Sequence, residues 1–198
     1  MKKAIFIPAI VILCAIGILF GLTFGLQKIG AANAEAEHLK IMQTLLPGSS
    51  DFILEPYTGE DANIRSVHKA ENAFVIETVT RGYADDITMF IGVSSDGKVT
   101  GLVVYEAHET FGLGNEALTD HVFLSQFLNS AGTFAVATNG ADAFSGATGE
   151  AEASGNTVDV DGITGATVTS KAIVRCVNSA VGYVTGADTS SGATSWGG

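Results

Sequence analysis

Between Ala4 and Leu26 the chain carries no charged side chain. A helix of about 23 such residues is roughly 34 Å long, enough to cross the hydrocarbon core of a bilayer. Pro8 lies near the start of the run, where a spanning helix tolerates it. Lys2-Lys3 ahead of the run and Ala32-Asn33-Ala34 behind it also suit a cleavable signal peptide. The apolar part of a signal peptide, however, is only about 7 to 15 residues long, so the length favours a retained membrane anchor. Lys2 and Lys3 face a lone Lys28 across the run. The positive-inside bias therefore predicts a cytoplasmic N-terminus and a body outside the cell membrane, with lipid as a standing partner.

Beyond the anchor the periodicity changes twice. Leu39, Met42, Leu45 and Leu46 recur at near-helical spacing from Ala34, and Pro47-Gly48 stops them, which predicts a stalk helix. Ala73 to Thr80 and Ile87 to Val93 are rich in β-branched and aromatic residues. Asp96-Gly97 is a hairpin signal leading into Val99 to Tyr105, so an antiparallel meander is expected. Asn115 to Asn129 reads as a helix with Leu118, Val122, Leu124, Phe127 and Leu128 inward. Residues 130–160 are small, polar and glycine-rich, with a strand near Thr157 to Val160. Thr169 to Val184 is an amphipathic helix with Ile173, Val177, Ala180, Val181 and Val184 on one face, and Ser190 to Gly198 is a low-complexity tail. Strands grouped first and helices after predict an α+β fold, an antiparallel or mixed sheet packed with helices behind one N-terminal transmembrane helix. The expected divisions are residues 1–28 for the anchor, 29–48 for the stalk, 49–186 for the folded body and 187–198 for the tail.

Charge and cysteine content exclude several functions. A formal net charge of −11 repels nucleic acid. Two cysteines, Cys14 inside the apolar run and Cys176, cannot build a disulfide framework, a four-cysteine zinc site or a self-contained iron–sulfur cluster. Redox chemistry in such a chain has to come from a cofactor.

Gly112-Leu113-Gly114-Asn115-Glu116-Ala117 fits the dinucleotide pattern G-x-G-x-x-A, but no second βαβ unit follows, and Thr133 to Ala137 hold no acid for a ribose. A glycine turn joining strand to helix explains it better. His108-Glu109 starts like a zinc-protease motif, yet Gly112 stands where the second histidine is needed, so no metal site is expected. His38, His68 and His121 have no partner pattern and are expected at the surface.

The stretch Asp161-Gly162-Ile163-Thr164-Gly165-Ala166-Thr167 runs into the C-terminal helix. It resembles the modification motif Asp-x-x-Ser/Thr-Gly-Ala-Thr of the covalent FMN-binding domain, found in the G-type subunit of the Rnf complex and in the C-type subunit of the sodium-pumping NADH:quinone reductase. Gly82-Tyr83 and His108-Glu109-Thr110-Phe111-Gly112-Leu113-Gly114 resemble a second signature of the same domain. The resemblance covers most of residues 73–184. It implies FMN joined by a phosphoester to Thr167 and delivered from FAD by a flavin transferase, with Thr164, Gly165 and Ala166 beside it and Glu109, Thr110, Gly112, Leu113 and Gly114 lining the cofactor. It also implies other membrane subunits of an Rnf-type complex as partners and a role as a redox subunit, not a self-sufficient enzyme; no catalytic residue is expected on the chain. The compact length favours the G-type subunit over the longer C-type one. A solitary extracytoplasmic flavoprotein carrier and a nonredox adhesion module are the other readings.

The physical chemistry of the stretch agrees with the resemblance. An alkyl hydroxyl is a weak nucleophile that needs an external base and close approach, and Gly165 and Ala166 leave room for both. Thr167 stands at the mouth of a helix, where Thr169 or Ser170 can cap and free amides favour a phosphate. The heptad occurs twice more, ending at Thr148 and at Thr194. Thr148 is followed by Gly149, Glu150 and Glu152, carboxylates that repel phosphate, and Thr194 lies in the tail with nothing to pack around a flavin. Both are expected to be plain turns. Phe111 stands where the family usually has proline.

Overall fold

The computed structural model describes residues 33–109, 112–137 and 157–187, with residues 16, 17, 20, 23, 27 and 30 before them and only the backbone at Leu113. The expected anchor from Ala4 to Leu26, apart from Ile16, Gly17, Phe20 and Thr23, lies outside the described residues. So do Thr110, Phe111, Thr148 and Thr194. Among the described residues no helix is long and apolar enough to cross a membrane.

The chain divides into two units, Met1–Lys40 and Ile41–Gly198. The described positions of the first unit are helical, with Ile16 and Phe20 exposed. The second unit begins with a helical turn, α1, over residues 41–45.

The second unit is built on an antiparallel five-stranded meander in the order β1 (Ile53–Glu55), β2 (Ile64–Lys69), β3 (Ala73–Arg81), β4 (Asp86–Ser94), β5 (Val99–Ala107). Both faces of the sheet are covered, which is why β4 is buried almost end to end instead of alternating. Ile87, Met89, Ile91 and Val93 join the larger core, while Phe90 points the other way among Met42, Leu45, Leu46 and Val75. There the end of α1 lies on the sheet, with the Thr100 hydroxyl donating to the Leu45 carbonyl at 3.2 Å. The larger core takes the C-terminal helix α4 (Thr167–Thr185), whose Ala172, Ile173, Cys176, Val177, Ala180 and Val181 are buried against β3 and β4.

Strands β6 (Thr133–Ala137) and β7 (Thr157–Asp161) pair in parallel as a separate two-stranded sheet. Asn178 of α4 clamps it: its side-chain oxygen accepts from the Phe134 N–H at 2.8 Å, and its amide donates to the Phe134 carbonyl at 2.9 Å.

The single helix expected over Asn115 to Asn129 is instead two short ones, α2 (Leu113–Ala117) and α3 (His121–Ser125). Asp120 breaks it. Its carboxylate accepts from the Val122 and Phe123 amides at 2.8 and 3.2 Å with its own backbone extended, so local capping outcompetes helix continuation. The break changes which residues face inward. Phe123 and Phe127 are buried, whereas Val122 is 76% exposed and Leu128 is 39% exposed.

Candidate functional site

The candidate attachment turn starts where β7 ends. The Ala166 N–H donates to the Ile163 carbonyl at 2.9 Å, closing a four-residue turn over Ile163-Thr164-Gly165-Ala166. Gly165 has φ +83°, a left-handed conformation that a side chain would strain. Thr164 and Gly165 are exposed and Ala166 is buried. Helix α4 begins at Thr167, two residues earlier than the periodicity suggested, and Thr167 is half-buried.

Neither Thr169 nor Ser170 caps the helix. Ser170 is fully buried, its hydroxyl accepts from the Ile163 N–H at 3.1 Å, and the Thr169 hydroxyl donates to Glu109 at 3.3 Å. Ala166 occupies the N-cap position and offers no side-chain acceptor. The first amides of a helix have no intrahelical partner, so this 19-residue helix, which no side chain among the described residues caps, presents its first N–H groups and the positive end of its dipole at Thr167. Such a mouth suits a phosphate.

Glu109 is brought to the same place from the end of β5. One carboxylate oxygen accepts from the Tyr83 N–H at 2.8 Å and the other from Thr169. The carboxylate lies over Gly82, where a Cβ would run into it and into the Asp85 carbonyl. Glu109 thus ties the β3–β4 turn to the first turn of α4, a bracing role that the sequence motif does not reveal. Gly112 is exposed with φ +106° and precedes α2, and Gly114 is buried within it. The glycine-rich loop therefore serves as the turn from strand to helix.

His108 and His121 are exposed, while His38 and His68 are half-buried, His68 within β2. Among the described residues no cluster of His, Cys, Asp and Glu is grouped to hold a metal. Burial pushes the Cys176 thiol up, and its sulfur lies 3.3 Å from the Thr80 hydroxyl. It stays protonated inside the core.

The model of the FMN-binding domain family matches residues 82–182, just over half of the chain, and the protein belongs to that family. The matched span holds Glu109, the glycine loop and Thr167, and it ends before Thr194. This is the family that the Asp161–Thr167 motif resembles. The chain is 34% identical over 113 residues to the subunit designated G in a proton-translocating ferredoxin:NAD(+) oxidoreductase complex of Clostridium ljungdahlii, covering 57% of this chain and 54% of the relative. It is 29% identical over 194 residues to the subunit designated G in an ion-translocating oxidoreductase complex of Methanosarcina acetivorans, covering 91% of this chain and 93% of that one. It thus spans about half the length of the first relative and nearly all of the second. A solved structure of the subunit designated C in a Na(+)-translocating NADH-quinone reductase from Parabacteroides distasonis is similar with a TM-score of 0.45 and 26% identity over 60% of each chain.

Proposed function

We propose that this protein is the G-type, membrane-anchored electron-transfer subunit of an Rnf-type, ion-translocating ferredoxin:NAD oxidoreductase, carrying FMN in phosphoester linkage to Thr167. The observation that carries the reading is the coincidence of two features at one residue. The last threonine of the Asp161–Thr167 motif is also the first residue of a helix that no side chain among the described residues caps. Membership of the FMN-binding family supports the cofactor, and the two G-type relatives support the complex.

On this reading the chain's residues bind and orient. FMN, when attached, supplies electron transfer through its isoalloxazine ring, which attachment through phosphate leaves unaltered. Thr167 provides the acceptor oxygen, and Gly165 and Ala166 keep the approach open. The helix amides hold the phosphate, and the family resemblance assigns Thr164, Glu109, Thr110, Gly112, Leu113 and Gly114 to the cofactor site. In maturation the Thr167 Oγ1 bonds to the flavin-side phosphorus of FAD, the phosphoanhydride bond breaks, and AMP departs. The hydroxyl proton passes to a base of the flavin transferase, while the Glu109 carboxylate at this mouth holds Tyr83 and Thr169 in place. The apolar run ahead of the body anchors it in the cell membrane beside the other members of the complex.

Intact mass of the chain, made with and without a coexpressed flavin transferase, tests the attachment. The expected gain is one FMN less water, abolished in Thr167→Ala and retained in Thr148→Ala and Thr194→Ala. A full gain in Thr167→Ala moves the site to one of the repeated motifs.

A further inference from the structure

Along the first nine residues of α4 only four side chains are not buried: Thr167, Val168, Lys171 and Arg175. Thr167, Lys171 and Arg175 are spaced by four and lie on one face of the helix. Thr167 stands at the N-terminal end of this strip. The two basic residues on it are differently engaged. Arg175 donates to the Arg81 carbonyl at 2.9 Å. Lys171 is half-buried and makes no hydrogen bond or ion pair with any described residue.

Helical side chains lean toward the N-terminus, onto the residue one turn before. From position 171 that lean puts Thr167 within the reach of a lysine one turn on. The placement is electrostatically odd for an empty helix, because an ammonium in the second turn opposes the positive end of the dipole. In a chain with 21 acidic residues against 10 basic ones, a lysine there with no partner among the described residues is open to an added negative charge. A negative charge bonded to Thr167 reverses the balance.

We infer that Lys171 is the positioning residue for the phosphate of the flavin nucleotide: its ammonium attracts the pyrophosphate of incoming FAD and then pairs with the phosphodiester on Thr167. The inference rests on the attachment proposed above and adds a residue and a role to it. The covalent step is unchanged, with the Thr167 oxygen bonding to phosphorus, AMP leaving and the proton going to the transferase. Lys171 exchanges no proton and contributes charge alone.

The test uses the full-length chain made without a transferase and then incubated with purified flavin transferase and FAD. Covalent flavin is followed by in-gel fluorescence, and melting temperature is measured before and after labelling. At low salt Lys171→Glu should label about tenfold more slowly than the wild type and Lys171→Arg within about twofold, with the difference contracting in about 0.5 M salt, where the Debye length falls to a few ångströms. Before labelling, Lys171→Gln should melt at or slightly above the wild type, since it removes an unfavourable dipole contact. After labelling, the wild type should gain about 2 °C more than Lys171→Gln. Labelling of Lys171→Glu at the wild-type rate overturns the inference. Slow labelling with an unchanged gain on labelling overturns it too, because the lysine then contacts the transferase instead of the phosphate. Labelling that persists undiminished in Thr167→Val overturns the attachment reading itself, which separates the two failures.

Discussion

A single carboxylate, that of Glu109, joins three segments far apart in the chain: the end of β5, the β3–β4 turn through the Tyr83 amide, and α4 through Thr169. Hydrogen bonds to an ionised acceptor are worth more than neutral ones, and removing the acceptor strands a backbone donor. Glu109→Ala is therefore expected to lower unfolding stability by about 2 kcal/mol in a urea titration, and Glu109→Gln by about half as much. Both should also reduce flavin labelling although Thr167 is intact, because the mouth of α4 loses its brace. Gly82→Ala should behave like Glu109→Ala, since the added methyl displaces the same carboxylate. A different carboxylate reports on pH. Hydrogen bonds first from Lys98 and then from Ser94 lower Asp96 from 3.8 to about 2. A depressed folded value means that its contribution is complete above the ordinary value of 3.8 and is lost as the pH falls through about 2. An NMR titration of Asp96 should show a midpoint near 2, and Lys98→Met should return it toward 3.8; an ordinary midpoint in the unaltered protein would refute the turn geometry.

Helix α4 is the element on which everything else is aligned, packing on β3, β4 and β6 and carrying the candidate attachment residue at its first position. Asn178 is its most exacting side chain, satisfying both the N–H and the carbonyl of Phe134 in a buried setting. Asn178→Leu keeps the volume and abandons both groups, an expected loss of about 2 to 4 kcal/mol by denaturant unfolding with the β6–β7 pair loosened first. Asp120→Ala, which removes the cap of α3, should cost only about 1 kcal/mol. These two residues also mark the limits of what local sequence carries. Strands β3, β4 and β5 are legible to within two residues, because β-branched runs around Asp96-Gly97 carry their own signal. Strand β2 is not: Arg65, Ser66, His68 and Lys69 dilute its apolar pattern, and a register shift between Ile64 and Ser66 breaks the alternation, so only pairing with β3 makes it a strand. The parallel partner of β7 is hidden for the same reason, its register being set by α4 through Asn178. The cap at Asp120 is visible as an acid ahead of Val122 and Phe123, but the apolar spacing across it imitates one helix. At the candidate site, Thr167 and Glu109 each stand out within a local motif. The bond from Glu109 to Thr169, sixty positions apart, has no local trace.

At the scale of the whole molecule, the proposed function requires a flavin that stays with its subunit outside the cell membrane. A noncovalent FMN lost there could not be recovered, so the proposed tether on Thr167 and the proposed anchor in the apolar N-terminal run would serve one purpose at two levels. Protease added to intact cells should remove the body while leaving the first residues protected, whereas digestion only in inside-out vesicles would reverse the orientation. The proposed tether would also limit what the chain can do. With two cysteines, one of them Cys176 sealed in the core with its thiol pushed up by burial, the chain cannot ligate an iron–sulfur cluster of its own. Its G-x-G-x-x-A segment forms a strand-to-helix turn into a five-residue helix, not the opening of a βαβ unit. Electrons would then enter and leave through FMN alone, and the protein would relay them without binding a second substrate. Thr167→Val preserves the shape of the side chain while removing its hydroxyl, so the fold and its contacts with partner proteins should survive. Membranes carrying it are expected to contain the assembled complex at wild-type amounts and to lose ferredoxin-dependent NAD reduction to background; full coupled activity in that variant would remove the relay role even if other flavins remained in place.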